Sequence, residues 1–114
     1  RGRAASLKRG DLYIIREPGS FAGKARPCLI VQSDLALPPA MFVTMCPVTS
    51  HLVGLPQVRI AIAPDEHNGL KQVSEVEIDL IETVELRSLG PRIGQASPGV
   101  MRLVDAALRR WLDL

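Results

Sequence analysis

The amino-acid sequence predicts a mainly β domain, a small antiparallel barrel or half-barrel, followed by one C-terminal helix. Three observations carry this prediction. Runs of six or seven β-forming residues are separated by short loops. One run, residues 74–80, alternates apolar and acidic side chains, and the apolar period becomes helical after Ser97. Strands joined by short connections fold most simply into an antiparallel sheet that a terminal helix covers.

Five segments have the composition of strands, because each is rich in apolar residues and is bounded by glycine, proline or polar residues. The second is apolar on both faces, which indicates a central strand, and Pro47 places the end of the third. Cys28 and Cys46 lie in these two segments and are expected to be small buried hydrophobes. The predicted strands are residues 11–16, 27–32, 41–46, 57–62 and 74–80.

The helix prediction begins at Ser97, which can cap a helix N-terminus, and at Pro98, which suits the first helical position. The apolar stripe of this helix consists of Val100, Met101, Val104, Leu108, Trp111 and Leu112. We expect Trp111 to anchor the helix in the core. Residues 1–114 then form a single domain, with residues 1–7 as a flexible N-terminal arm.

Composition excludes several classes of protein. With 46% hydrophobic and 23% charged residues, the chain of 114 residues is an ordinary globular domain rather than a disordered one. It has no apolar run of about 18 residues and no signal-peptide pattern, so we expect a cytoplasmic protein without a membrane partner. Two cysteines and two distant histidines are too few for a disulfide scaffold or a cysteine-based zinc site.

Charge is unevenly distributed along the chain. Residues 1–26 hold seven basic residues against two acidic ones, whereas residues 64–85 hold seven acidic residues against one lysine. This segregation is typical of a surface that meets a polyanion, although adjacent strips that neutralise each other would give the same counts. The alternating Glu75, Glu77 and Asp79 are better explained as the solvated face of a strand than as a metal site.

The candidate chemistry lies at two strand ends. Arg26 precedes the buried second strand, and Thr49 and Ser50 follow the third. If these strands are neighbours, a guanidinium and two hydroxyls meet at one rim. An arginine fork fits a phosphate, and a hydroxyl can bond a phosphate oxygen or a ribose 2′-OH. The rim is therefore a candidate phosphodiester site.

Short motifs in a fixed order resemble the MazF/PemK-like toxins of bacterial toxin–antitoxin systems. The resemblance covers residues 8 to 114. It is carried by Lys8-Arg9-Gly10-Asp11-Leu12-Tyr13, Ala25-Arg26-Pro27-Cys28-Leu29-Ile30-Val31-Gln32, Cys46-Pro47-Val48-Thr49-Ser50, Asn68-Gly69-Leu70-Lys71, Val76-Glu77-Ile78-Asp79 and Leu89-Gly90-Pro91-Arg92-Ile93-Gly94.

The resemblance implies an SH3-like small antiparallel barrel of the CcdB/PemK type that forms a homodimer. It also implies sequence-selective cleavage of single-stranded RNA without a metal or other cofactor, by attack of a ribose 2′-OH on the adjacent phosphate. In the family, the residues that match Arg26 and Thr49 are the usual catalytic pair. Arg26 would stabilise charge on the phosphate, and Thr49 would hold that phosphate or the 2′-hydroxyl.

Further candidate substrate-binding residues follow from the same resemblance. The family's flexible substrate loop matches residues 19–24, where Phe21 can stack on an unpaired base. His51 is a candidate for proton transfer because imidazoles titrate near neutral pH. The candidate substrate-binding set is Ser20, Phe21, Lys24, Ser50, His51 and Asp79.

The chain also departs from the family pattern. Some members carry a catalytic arginine where this chain has Glu77, and many have arginine where it has Glu82. An acidic side chain there repels phosphate, so a barrel that binds RNA or protein without cleaving it stays open as an alternative. A second alternative is a CcdB-like gyrase poison, which acts through a C-terminal tryptophan. The arginine and threonine motifs favour the nuclease. The expected partner is a cognate antitoxin with an acidic, flexible tail.

Overall fold

Seven strands precede one helix, which confirms the predicted mainly β architecture. A computed structural model describes residues 7–16, 25–36 and 41–114. The strands are β1 (Asp11–Arg16), β2 (Ala25–Ile30), β3 (Phe42–Thr49), β4 (Arg59–Ile62), β5 (Ser74–Glu77), β6 (Glu82–Glu85) and β7 (Leu89–Gln95), and the helix is α1 (Pro98–Leu112). No helix in these described ranges is long and apolar enough to cross a bilayer.

The sheet is antiparallel and has the order β4-β5-β3-β2-β1-β7. Strand β3 changes partner along its length, because residues 42–45 pair with β6 whereas Val48 and Thr49 pair with β5. The terminal strands β4 and β7 do not pair with each other in this order, so the sheet is open rather than a closed barrel. The loop after β4 partly covers the gap, where Gln95 N–H donates to the His67 carbonyl at 2.9 Å.

Two apolar cores lie on opposite faces of the central strands. Leu29 and Cys46 belong to the core that includes Val104 of α1, whereas Cys28 and Met45 belong to the core beneath β6. Strand β2 is therefore buried on both faces, as its composition predicts. Burial raises the pKa of both thiols, Cys28 and Cys46, to about 12, so they stay protonated at neutral pH.

Helix α1 covers the predicted residues, but its last turn is not buried as predicted. The Ser97 hydroxyl accepts from Val100 N–H at 3.2 Å, and Pro98 occupies the first turn. The buried positions of the helix are Val104 and Ala107. Trp111 is 48% exposed, so the prediction that it anchors the core is wrong. The last turn lies beyond the last buried position, and the apolar stripe continues there without a core to cover.

Strands β6 and β7 are missing from the sequence-based prediction. Strand β6 is exposed and polar, so it shows no apolar alternation, and β7 contains Gly90, Pro91 and Gly94, which weaken a strand. Both segments are strands because β6 pairs with β3 and β7 pairs with β1. Strand β3 also continues through Pro47 to Thr49 rather than ending before it.

The acidic strip does not face solvent, contrary to the prediction. Glu75 and Glu77 are only 5% and 8% exposed, and the predicted strand 74–80 becomes a 3-10 turn at Ile78. Arg59 of β4 explains part of this burial. Its Nε and Nη2 donate to the two Asp79 carboxylate oxygens at 2.8 and 3.1 Å, and its Nη1 lies 3.4 Å from Glu77 Oε2. Hydrogen bonding to Arg59 lowers the pKa of Asp79.

We expect Asp79→Asn to destabilise the fold in a pH-dependent way. Because Arg59 holds the pKa of Asp79 below its unfolded value, this stabilisation is present above about pH 4 and is lost as pH falls further. Urea unfolding should show a loss of about 1–3 kcal/mol at pH 7. The difference from the unsubstituted chain should shrink at pH 3. Glu85→Gln, which alters an exposed ion pair with Arg87, is the control and should change stability by less than about 1 kcal/mol. An equal loss of unfolding free energy at both pH values would contradict stabilisation by the ionised Asp79 carboxylate.

We expect Gly94→Ala to destabilise the sheet, because a Cβ there would lie 2.3 Å from the His67 carbonyl oxygen. The backbones would have to separate, which costs about 1–3 kcal/mol. Gly99→Ala is the matched control, since its Cβ would meet nothing closer than 3.8 Å in a helical turn. That change should be neutral or stabilising by up to about 1 kcal/mol. Thermal unfolding of the two variants in parallel separates steric clash from a general glycine effect.

Candidate functional site

The ends of β2 and β3 form the candidate site. These strands pair with Cys28 opposite Pro47 and Leu29 opposite Cys46. Arg26 lies two residues before Cys28, and Thr49 lies two residues after Pro47, so the alternation of side chains along a strand turns both to the same face. The guanidinium and the hydroxyl predicted to share a rim line one cleft.

A cleft of about 280 Å³ lies over these two residues. Arg26 and Ser50 are exposed in it, and Thr49 is half-buried. Its lining consists of Ala25, Arg26, Pro27, Val48, Thr49, Ser50 and His51. The cleft therefore offers one permanent cation, two hydroxyls and an imidazole within a space of nucleotide dimensions.

The Thr49 hydroxyl has a defined orientation. Its Oγ1 accepts from the backbone N–H of His51 at 3.0 Å. A hydroxyl has one proton to donate and two lone pairs to accept with, so this contact uses a lone pair and leaves the proton for a ligand. Thr49 is consequently set to donate to a phosphate oxygen in the cleft.

A second pocket of about 420 Å³ adjoins this cleft and shares Pro27, Val48 and Ser50 with it. Its walls are apolar, with Ile14, Leu70 and Ile93 among them. Sequence reasoning did not assign its polar members Lys71, Gln72 and Ser74 to a site. The motif Asn68-Gly69-Leu70-Lys71, already noted for the resemblance, is the signal that points to this segment.

The structure does not bring every predicted site residue to the cleft. Asp79 is outside its lining and is bound by Arg59, so its substrate-binding role stays a prediction without a contact to support it. Glu77 also pairs with Arg59, so the nearby guanidinium offsets its charge. Ser20, Phe21 and Lys24 lie outside the described residues.

Among the described residues there is neither a metal-binding cluster nor an accessible thiol. No group of three or more histidine, cysteine, aspartate or glutamate side chains is close enough there to hold a metal ion. The thiols of Cys28 and Cys46 are buried and protonated, and neither lines the cleft. The chemistry that the cleft itself supports is binding and stabilisation of a phosphate by Arg26 and Thr49.

Comparison with known proteins agrees with this geometry. Residues 8–112 match the family described as the PemK-like, MazF-like toxin of type II toxin–antitoxin systems. The chain is 36% identical over 108 residues to the probable endoribonuclease MazF of Mycolicibacterium smegmatis. This alignment covers 95% of this chain and 98% of that protein. It is 37% identical over 71 residues to endoribonuclease MazF3 of Mycobacterium tuberculosis, across 62% of this chain and 66% of that one.

Two solved structures have the same fold. The Mycobacterium tuberculosis toxin MazF-mt6 superposes with a TM-score of 0.77 at 29% identity, over 91% of this chain and 97% of that one. A mycobacterial endoribonuclease in complex with its cognate antitoxin gives a TM-score of 0.76 at 27% identity, over 95% and 94%. The family match spans nearly all of the chain and includes both strand ends that form the cleft. This chain belongs to the PemK-like, MazF-like toxin family of type II toxin–antitoxin systems.

Proposed function

We propose that this chain is a toxin endoribonuclease that cleaves single-stranded RNA in the cleft over Arg26 and Thr49. The observation that carries the proposal is the placement of these two side chains on opposed strand ends in one open cleft. Relatives named as endoribonucleases support it, because one of them aligns over almost the whole chain. The scissile phosphate lies between the guanidinium and the hydroxyl.

The reaction is attack of a ribose 2′-OH on the adjacent phosphorus. The 2′-oxygen forms a bond to phosphorus while the bond to the 5′-oxygen breaks, leaving a 2′,3′-cyclic phosphate and a 5′-OH. The 2′ proton is released, and the 5′-oxygen gains one. His51, exposed at the cleft edge, is the candidate for carrying a proton. Arg26 and Thr49 stabilise the negative charge that develops on the phosphate oxygens.

The adjoining apolar pocket gives the RNA a continuous path. It opens from the cleft through Pro27, Val48 and Ser50, so a nucleotide next to the scissile phosphate can lie in it. Lys71 at its edge adds a second cation for the backbone. Ser20, Phe21 and Lys24, which lie outside the described residues, are proposed to contact the same strand of RNA.

We expect Arg26→Ala and Thr49→Val to abolish most cleavage while the fold persists. Loss of one well-placed donor to a developing oxyanion lowers the rate by about 10²–10³-fold. Thr49→Ser keeps the hydroxyl and should retain most activity. Arg87→Ala removes an exposed arginine elsewhere and should cleave normally, which separates the site from general positive charge. The measurement is the cleavage rate of a defined single-stranded RNA, with mass spectrometry of the fragment ends.

The same assay in EDTA tests metal independence, which stays a prediction. Unchanged fragments in the chelator, ending in cyclic phosphate, support the proposed reaction. RNA that is bound but intact in every condition would instead identify a binding protein without catalysis. Activity lost in EDTA and restored by a divalent cation would overturn the metal-independent route.

We further propose that the chain acts in the cytoplasm as a homodimer that a cognate antitoxin neutralises. Exposed apolar side chains on α1, Leu103, Trp111 and Leu112, are available for burial against another chain. The mycobacterial relative solved with its antitoxin supports the second partner. An acidic, flexible tail would complement Arg26 and Lys71 along the RNA path.

Light scattering of the purified chain tests both partners. The chain of 12.4 kDa should have twice its mass alone and a larger mass with the cognate antitoxin. Adding that antitoxin should stop RNA cleavage, because its acidic tail would occupy the cleft. A monomer at micromolar concentration, or a complex that still cleaves RNA, would contradict this arrangement.

A further inference from the structure

We propose that Glu75 is a positioning residue that holds the wall of the cleft carrying Ser50 and His51. This inference rests on the proposed endoribonuclease function. Glu75 lies on β5 and is only 5% exposed. Its Oε1 accepts from Val53 N–H at 3.0 Å, and its Oε2 accepts from Gly54 N–H at 3.0 Å. One buried carboxylate thus binds two successive amides of the loop that follows β3.

The position of Glu75 in the sheet explains why this contact reaches the cleft. Glu75 is opposite Thr49 in the β3–β5 register. Thr49 also lines the cleft together with Arg26 of the neighbouring strand β2. Residues opposed in this way lie on the same face of the sheet. The anchor of the loop is therefore the direct neighbour of the proposed catalytic threonine.

Apolar packing holds this loop weakly, so it does not substitute for the Glu75 carboxylate. Leu52, Val53 and Leu55 are each about half exposed, so the loop gains little from burial. At its start the loop is held by the His51 N–H bond to Thr49. At its end, Val58 and Arg59 N–H groups donate to the Leu55 carbonyl, Arg110 donates to the Gln57 carbonyl, and Ile78 N–H donates to the Val58 carbonyl. Between these two ends, the Glu75 carboxylate is the described attachment. Gly54 has φ +80°, a conformation that a side chain would oppose, and its amide donates to the carboxylate.

Glu75 is placed to hold the loop rather than to transfer a proton. Both of its oxygens already accept from amides, and it does not line the cleft. Charge-assisted hydrogen bonds to a carboxylate are roughly twice as strong as neutral ones. The same two N–H groups direct positive ends of their dipoles at the carboxylate, which offsets a negative charge close to the phosphate path.

The test combines amide exchange with single-turnover cleavage in Glu75→Gln and Glu75→Asp. Glutamine keeps the size but has one accepting oxygen, and aspartate keeps the charge but is shorter by one methylene. We expect Val53 and Gly54 amides to exchange at least ~10-fold faster in Glu75→Gln, and the rate at saturating RNA to fall by about tenfold. KM should change by less than about threefold, because RNA contacts elsewhere persist. Glu75→Asp should recover part of both losses.

Glu85→Gln is the control, because it removes an exposed carboxylate from another strand and should leave exchange and rate unchanged. Faster amide exchange with an unaltered cleavage rate would overturn the positioning role, and so would unaltered exchange. If the unsubstituted chain cleaves no RNA, the proposed function fails while the exchange data still decide whether Glu75 holds the loop. If both variants unfold, exchange in the unsubstituted chain decides: unprotected Val53 and Gly54 amides would exclude the anchor.

Discussion

The candidate site depends on the register between β2 and β3. A shift of one residue would turn every side chain of β2 to the opposite face of the sheet and would remove Arg26 from Thr49. Burial on both faces prevents such a shift. Leu29 and Cys46 fill one core while Cys28 and Met45 fill the other, so neither face can accept the side chains of the other without loss of packing. Two apolar cores thus fix the face of the sheet on which the two polar groups at the strand ends lie.

Glu75, Glu77 and Asp79 show how the fold places carboxylates close to the proposed phosphate path. Glu77 and Asp79 share Arg59, and Glu75 binds two loop amides. Each carboxylate is bound by donors of the protein. These donors offset its negative charge locally and reduce its electrostatic effect on the cleft. The departure from the family pattern at position 77 is therefore matched by an arginine from the neighbouring strand. Repulsion of RNA by Glu77 is weaker than the sequence alone indicates.

The sequence is informative where a local pattern decides the structure. The central strands, the capped start of α1 at Ser97 and the shared rim of Arg26 and Thr49 follow from apolar runs, capping chemistry and motif order. Strand β7 does not follow, because Gly90 and Pro91 oppose strand formation and pairing with β1 overrides them.

Burial of charged residues is the other feature that sequence could not supply. Alternation of apolar and charged residues predicts a strand with one face in solvent, unless a partner for the charged face is known. Here Arg59 is 18 residues before Glu77 in the chain, and the loop amides that bind Glu75 have no side-chain signature. The prediction for Trp111 is wrong for the opposite reason. The apolar helical spacing continues to Trp111, although the last buried position of the helix is Ala107.

The proposed site combines an exposed arginine and a half-buried threonine with an ordered frame beneath them. Electrostatic stabilisation of a transition state is effective when donors are oriented before the substrate arrives, because no free energy is then spent in turning them. The His51 N–H bond orients the Thr49 hydroxyl, and Glu75 in turn restrains the loop that carries His51. Arg26 is exposed, and no hydrogen bond or ion pair from the described residues restrains it. One oriented donor and one exposed cation suit a phosphate whose geometry would change from tetrahedral to pentavalent in the proposed reaction.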